Sequence, residues 1–114
     1  MSLKSEKFMF SDQIDWEVVG EGVRRRILGY DDNLMQVAVE FQKGAIGAEH
    51  SHIHSQTCYV VSGVFEFKVG EETHIVRAGD GLYMEPDIVH GVTCIEAGIL
   101  LDSFSPVRLD FLNK

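Results

Sequence analysis

The chain has 114 residues, of which 45% are hydrophobic and 25% charged, a composition typical of a soluble globular protein with one core. Its formal net charge of −8 argues against nucleic acid or an anionic membrane as a partner, because both require a basic surface. No apolar run reaches the length of about 18 residues needed to span a membrane, and the N-terminus lacks a signal-like stretch. The cysteines, Cys58 and Cys94, do not form a disulfide framework. We therefore expect a cytoplasmic protein with reduced thiols.

The predicted elements are short strands separated by turn residues. The acidic segment 11–18 is the best helical candidate, with Ser11 as its possible cap. Strands are then predicted at 23–30, 34–41, 56–61, 64–69, 73–77, 82–84, 89–95 and 99–104. Ser62-Gly63 is predicted to be the turn of a hairpin between two of these strands. Many short strands with glycine turns predict an all-β fold, either a closed barrel or two packed sheets.

The histidines are concentrated in one segment of the chain, since His50, His52 and His54 follow each other at alternate positions. On an extended strand His50 and His52 point to the same side, with Cα atoms about 7 Å apart, so both rings can reach one ion. His54 and Gln56 continue this parity if the strand stays regular, and His90 on a later strand could complete the site. Parity alone leaves open which of His54 and Gln56 is a ligand. It also leaves open whether the histidines are simply surface residues.

The spacing of these residues resembles the first motif of the cupin family. It consists of a glycine, five residues, a histidine, one residue, a histidine, three residues, usually a glutamate, six residues and a glycine. The corresponding residues here are Gly44, His50, His52, Gln56 and Gly63. The second cupin motif has a partial counterpart. Gly79 and His90 match its first glycine and its histidine, whereas its proline, second glycine and asparagine are replaced by Glu85, Asp87 and Cys94. This resemblance covers about residues 34–110.

The cupin resemblance implies an all-β, double-stranded β-helix or jelly-roll barrel with little helix. We expect one domain over residues 1–114, with the barrel core at about 34–104. The resemblance also implies four metal ligands, namely His50, His52, Gln56 and His90, with Gln56 at the position where the family usually has glutamate.

This ligand set has consequences for the chemistry of the site. Three imidazoles and an amide leave the charge of a divalent ion uncompensated, so the pocket should favour anionic ligands. Nitrogen-rich ligation suits Ni, Zn, Fe, Mn or Cu better than Mg or Ca. We therefore expect one divalent transition metal, whose identity the sequence does not specify, and a small anionic substrate.

The C-terminal segment adds three candidate site residues. Asp102 lies in an otherwise apolar strand, where a carboxylate is costly unless it is paired or functional. Phe104 shares its face, and Arg108 follows shortly after Pro106 and suits bidentate binding of a carboxylate. The same residues are consistent with a structural Asp102–Arg108 ion pair and with Phe104 as a core residue.

Together with residues 27–35 and 50–56, this segment resembles the pectin-degradation cupins. These proteins convert 4,5-unsaturated uronate monosaccharides, which pectate and alginate lyases release, to the linear keto form. The resemblance implies that Asp102 is the general acid and base, that Arg108 holds the uronate carboxylate, and that Phe104 shapes the pocket. Glu85 and Asp87, expected near the pocket rim, would weaken the attraction of the pocket for an anion. Two alternatives are another metal-dependent cupin enzyme, such as a dioxygenase, and a non-catalytic sugar- or metal-binding module.

The N-terminal region suggests an interface between subunits. Small cupins commonly pair through this region, and Phe8-Met9-Phe10 is an apolar patch, so we expect a homodimer with strands in residues 8–30 at the interface. The run Arg24-Arg25-Arg26 does not form a basic stripe, because successive strand residues point to opposite faces. We interpret this run as solvated or at the dimer edge, and Trp16 as a packing residue.

Overall fold

The computed structural model describes residues 3–112, which form two antiparallel sheets and two short 3-10 helices. The strands are β1 (Glu17–Gly20), β2 (Val23–Tyr30), β3 (Met35–Phe41), β4 (Ile46–His50), β5 (Ser55–Val60), β6 (Val64–Val69), β7 (Glu72–Arg77), β8 (Gly81–Met84), β9 (His90–Glu96) and β10 (Gly98–Ser105). The helices are η1 (Ser11–Gln13) and η2 (Leu109–Leu112). This confirms the expected all-β barrel with little helix. No helix in residues 3–112 has the length and apolar character needed to cross a membrane.

The two sheets enclose the core between them. The six-stranded sheet has the order β1-β2-β3-β10-β5-β8, and the four-stranded sheet has the order β4-β9-β6-β7. Val60, Phe65 and Met84 are fully buried between the sheets, because alternate residues of their strands point inward. A smaller apolar cluster of buried residues lies towards one end of the six-stranded sheet and consists of Met35, Val37, Phe104 and Val107.

The N-terminal part of the fold differs from the sequence prediction. The helix expected over 11–18 is wrong, because only Ser11–Gln13 is helical and the chain is extended again as β1 from Glu17. Ser11 is not the cap; the capping position is Phe10, whose side chain makes no cap hydrogen bond. The prediction from the sequence also missed β1 and β4. Neither strand contains a buried residue, so neither has the apolar alternation by which strands are predicted.

The predicted hairpin at residues 62–63 is wrong, because β5 and β6 belong to different sheets. β5 pairs with β8 and β10, whereas β6 pairs with β7 and β9. The backbone of Ser62 bonds instead to Ile99 of β10, with N–O distances of 3.3 and 3.2 Å. Gly63 has a φ of 88°, and a Cβ there would lie 2.6 Å from the carbonyl oxygen of Glu96. A glycine therefore lets the chain pass from one sheet to the other at this point.

Candidate metal centre and cavity

Three histidines converge at one end of the space between the sheets. His50 ends β4 and is paired in register with His90, which begins β9, while His52 lies in the irregular segment after β4. The ring centroids are 4.4 Å apart for His50 and His90, 5.0 Å for His52 and His90, and 5.5 Å for His50 and His52. One nitrogen from each ring lies within 4.8 Å of the others. The three rings therefore form a group that could hold a metal ion.

Hydrogen bonds to backbone carbonyls orient two of these rings and leave one nitrogen of each free to bind a metal. Nδ1–H of His50 donates to the carbonyl oxygen of Ala48 at 2.9 Å, and Nδ1–H of His90 donates to that of Ile88 at 3.0 Å. Each bond fixes the proton on Nδ1 and leaves a lone pair on Nε2. Nε2 of His90 is buried and has no hydrogen-bond partner in the described part of the chain. An unsatisfied buried nitrogen is costly, and a metal ion at this position would satisfy it.

Gln56, the fourth predicted ligand, lies beside the three histidines on β5 of the other sheet. Its side-chain Oε1 accepts a hydrogen bond from Nε2 of His52 at 2.9 Å. Two ligands bound to one ion at a right angle, with bonds of about 2.1 Å, lie about 3.0 Å apart. The observed separation therefore fits two adjacent ligands. For His52 to bind the ion, its proton would move from Nε2 to Nδ1.

His54, the alternative third ligand by parity, is not part of the histidine group found among residues 3–112. Residues 51–54 are not a strand, so the alternation that would align His54 with His50 is interrupted. The His54 ring instead packs against His52, with centroids 5.3 Å apart, and against Phe104 at 6.4 Å.

Burial favours the uncharged form of two candidate ligands, His52 and His90. It lowers the pKa of His90 and of His52, and the neighbouring histidines and Arg108 lower both pKa values further. Burial also lowers the pKa of His54, again with a contribution from Arg108. Because a metal binds the neutral imidazole, these shifts favour ligation near neutral pH.

A cavity of about 260 Å³ opens beside the histidines, between the two sheets. Six of the seven predicted site residues line it: His50, Gln56, His90, Asp102, Phe104 and Arg108. Three polar or charged residues are buried in the described chain, namely Gln56, His90 and Arg108, and all three line this cavity. Burying polar groups costs free energy unless they are paired, so their concentration in one cavity indicates a functional site.

Asp102 lies on β10 and faces the cavity beside Gln56 and Cys58. Cys58 is its direct neighbour on β5, and Phe104 pairs in the same way with Gln56. Burial raises the pKa of Asp102 to about 6, although contacts with Cys58 and Gln56 and the charge of Arg108 oppose this shift. Oδ1 of Asp102 is buried and lacks a hydrogen-bond partner within residues 3–112. A buried oxygen without a partner is costly, so this carboxylate is a candidate functional group.

The cysteines are both free and buried, as expected for reduced thiols. Burial raises the pKa of Cys58 above its ordinary value, and the neighbouring Asp102 carboxylate raises it further. Burial also raises the pKa of Cys94. The thiol of Cys58 is therefore protonated and can donate to Asp102.

Arg108 lies at the cavity wall, and its ion-pair partner is Asp110 rather than the suggested Asp102. Its Nε and Nη2 donate to the carboxylate of Asp110 at 3.1 and 2.9 Å, and this pairing lowers the pKa of Asp110. The guanidinium carbon also lies 5.0 Å from the ring centroid of Phe104 and 4.1 Å from that of Phe111. Phe104 is thus both a core residue and a wall of the cavity.

Arg25 is a cavity residue that the sequence interpretation missed. Its side chain lines the cavity, whereas Arg24 and Arg26 lie against Trp16, with guanidinium carbons 4.4 and 4.3 Å from the Trp16 ring. The alternation of the three arginines is as expected. The parity of Arg25 with the buried Val23 is the signal that could have identified it as facing inward.

Glu85 and Asp87, expected near the pocket rim, are exposed and are not among the described residues that line the cavity. The backbone N–H of Asp87 donates to the carbonyl oxygen of His52 at 2.7 Å. This bond anchors the irregular segment that carries His52. The carboxylates of Glu85 and Asp87 are therefore not part of the described cavity wall, although the backbone of Asp87 lies beside His52.

The N-terminal patch is exposed, with Phe8 75% and Phe10 56% accessible and their rings stacked 6.2 Å apart. The homodimer expected from this patch stays a prediction.

The fold and the histidine geometry are those of a cupin, and the chain belongs to this family: the Cupin domain model matches residues 37–102. The chain is 43% identical over 108 residues to the pectin degradation protein KdgF of Dickeya dadantii, a match that covers 93% of this chain and 98% of that protein. The solved structure of KdgF from Halomonas sp. is 34% identical, with a TM-score of 0.89 over 94% of this chain and 99% of that one. An RmlC-like cupin from Shewanella frigidimarina is 44% identical, with a TM-score of 0.92 over 95% of this chain and 97% of that one.

Proposed function

We propose that this protein is a metal-dependent enzyme that converts 4,5-unsaturated uronate monosaccharides from pectin or alginate breakdown to their linear keto form. The observation that carries the proposal is the cavity in which a three-histidine group, a carboxylate with an unpartnered oxygen among the described residues and a buried arginine meet. The similarity to two proteins called KdgF, one of them described as a pectin degradation protein, supports the choice of substrate.

The size and charge of the cavity suit this substrate. A volume of about 260 Å³ is below the usual range for drug-sized ligands and fits a monosaccharide. Nε and one N–H of Nη2 of Arg108 bond to Asp110. Nη1 and the second N–H of Nη2 can therefore bind the planar uronate carboxylate through two parallel hydrogen bonds. Phe104 and Phe111 provide apolar surface against which the sugar ring can pack. These contacts would hold the enol ether beside the oxygens of Asp102.

In the proposed reaction, Asp102 acts as general acid and base. It donates a proton to carbon 4 of the C4=C5 bond while water adds to carbon 5, and it recovers a proton from that water. The resulting hemiketal opens when the bond between carbon 5 and the ring oxygen breaks, which leaves a ketone at carbon 5. Loss of water from carbon 1 gives the aldehyde, so the net change is an isomerisation. A divalent ion bound by His50, His52, Gln56 and His90 would supply Lewis-acid stabilisation of the negative charge on the ring oxygen when its bond to carbon 5 breaks.

The proposal is tested by incubating metal-loaded protein with unsaturated uronates made by a lyase. We expect the ultraviolet absorbance of the conjugated double bond to decay faster than in a protein-free sample, and NMR to show the linear keto product. Asp102→Asn should lower kcat by about 100-fold or more while the metal content is retained. Asp15→Asn, at an exposed position outside the cavity, is the matched control and should leave kcat unchanged.

Two results would contradict the proposal. The first is decay at the spontaneous rate with metal-loaded protein, which would favour a non-catalytic binding module. The second is oxygen consumption by the iron-loaded protein without isomerisation, which would favour a dioxygenase. Unchanged kcat in Asp102→Asn would remove Asp102 from the mechanism.

A further inference from the structure

Arg25 brings a second guanidinium group to the cavity, from a strand remote in sequence from Arg108. We propose that Arg25 is a substrate-binding residue that acts together with Arg108 to select sugars that carry a carboxylate over neutral sugars. This inference rests on the function proposed above and deepens it, because it concerns recognition of the substrate's charge.

The backbone of β2 turns Arg25 towards the cavity. Arg25 is two residues from the buried Val23, so both side chains lie on the inner face of the strand. The side chain of Arg25 is 18% exposed, against 44% for that of Arg24, which lies on the outer face. Burying an arginine side chain to this extent costs conformational entropy and hydration, and binding of an anion would offset that cost.

Phe111 brings the two guanidinium groups near each other. The guanidinium carbon of Arg25 lies 3.8 Å from the centroid of the Phe111 ring, and that of Arg108 lies 4.1 Å from the same centroid. A guanidinium stacked on an aromatic ring keeps its N–H groups in its own plane, so they stay available to donate. Two cations at one ring repel each other, and an anion bound within reach of both would relieve this repulsion.

The counter-ions of both arginines lie on the solvent side. Arg25 pairs through Nε with Glu17 at 2.9 Å, and Arg108 pairs with Asp110, while the side chains of Glu17 and Asp110 are 51% and 60% exposed. Such exposed carboxylates are well hydrated and neutralise a buried cation weakly. The Glu17 contact uses Nε, which leaves the terminal nitrogens of Arg25 for a ligand. Asp102 is the one carboxylate among the described residues that line the cavity, so the two arginines outnumber it.

The test compares Arg25→Gln with Arg24→Gln in steady-state kinetics on an unsaturated uronate. We expect Arg25→Gln to raise KM about tenfold, because the loss of one charge-assisted hydrogen bond weakens binding by about this factor. The same substitution should change kcat by less than about threefold. Arg24→Gln removes the same charge from the adjacent residue on the outer face and should leave both constants unchanged. An unchanged KM in Arg25→Gln, or an equal rise in Arg24→Gln, would overturn the inference.

Glu17→Gln separates binding from a merely structural role of the Arg25–Glu17 pair. It breaks the same ion pair but retains the guanidinium, so KM should stay at the wild-type value. If Glu17→Gln raises KM as much as Arg25→Gln does, Arg25 acts by fixing β1, and the proposed role in binding is wrong.

Binding of a saturated uronate separates this inference from the proposed reaction. By calorimetry, we expect the wild type to bind galacturonate more tightly than galactose, and Arg25→Gln to reduce only the galacturonate affinity. If the protein shows both binding results but does not open unsaturated uronates, the role of Arg25 in binding is supported and the proposed function is wrong. Equal binding of galacturonate and galactose by the wild type would overturn the inference.

Discussion

Replacement of Arg108 by lysine keeps the charge at the cavity wall and removes the planar guanidinium. Lysine donates to a carboxylate as a point charge, so one of two charge-assisted hydrogen bonds to the substrate is lost. Such a bond contributes about 1.5–3 kcal/mol, which corresponds to a rise in KM of about 10- to 100-fold. We expect kcat to change much less, because Arg108 holds the carboxylate rather than the reacting carbons.

The same substitution should also lower stability. The Arg108 guanidinium stacks on the Phe104 and Phe111 rings at 5.0 and 4.1 Å, and each such contact contributes about 0.5–1 kcal/mol. The pair with Asp110 adds little, since the Asp110 side chain is 60% exposed. The free energy of unfolding should therefore fall by about 1–2 kcal/mol, which urea denaturation measures.

The assay is the initial rate of absorbance loss over a range of unsaturated uronate concentrations. Arg77→Lys, at an exposed position of β7 outside the cavity, is the matched control and should leave KM unchanged. A KM within about twofold of the wild-type value in Arg108→Lys would refute bidentate binding by Arg108.

Three further substitutions test the metal site and the fold. Gln56→Glu adds a negative charge at the site; it should raise metal affinity about tenfold in chelator competition and raise the uronate KM by a similar factor. His90→Ala removes a buried candidate ligand and should weaken metal binding by at least about 100-fold, whereas His74→Ala, at an exposed position of β7, should leave it unchanged. Gly98→Ala would press its methyl group into the neighbouring backbone and should lower the free energy of unfolding by about 3 kcal/mol. Gly81→Ala, whose Cβ would meet its nearest neighbour at 3.7 Å, should change it by less than about 1 kcal/mol.

Each of these predictions has a result that contradicts it. Equal metal affinity in Gln56→Glu and the wild type would remove residue 56 from the ligand set. Full metal binding by His90→Ala would move the site elsewhere. Equal stability of Gly98→Ala and Gly81→Ala in urea denaturation would contradict the close approach of the chain at Gly98.

Residues that alternate between a buried and an exposed face could be predicted from the sequence. The strand over Val64–Val69 was predicted because its apolar residues point into the core. By contrast, β1 and β4 are edge strands without buried residues, so their pairing depends on backbone hydrogen bonds that side-chain patterns do not encode. The turn at Ser62-Gly63 was misassigned for a related reason, since the residues that bond to it belong to the distant strand β10.

Only part of the candidate site could be predicted from the sequence. The grouping of His50 and His52 could be predicted from their alternation on an extended strand, and that of His90 with them from the resemblance to the cupin motifs. The partner of Arg108 could not, because the 3-10 helix that begins at Leu109 turns Asp110 towards it. Arg25 was missed because it stands between two outward-facing arginines.

The most direct test of the account is to strip the protein of metal with a chelator, measure the remaining metal by elemental analysis, and follow unsaturated uronate before and after metal is restored. We expect one divalent transition metal ion per chain in the active protein. The stripped protein should leave the spontaneous rate unchanged, and restoration of the metal should recover the accelerated ring opening. Full activity in protein stripped of metal, or no activity in protein shown to hold one ion per chain, would contradict a metal-dependent uronate enzyme.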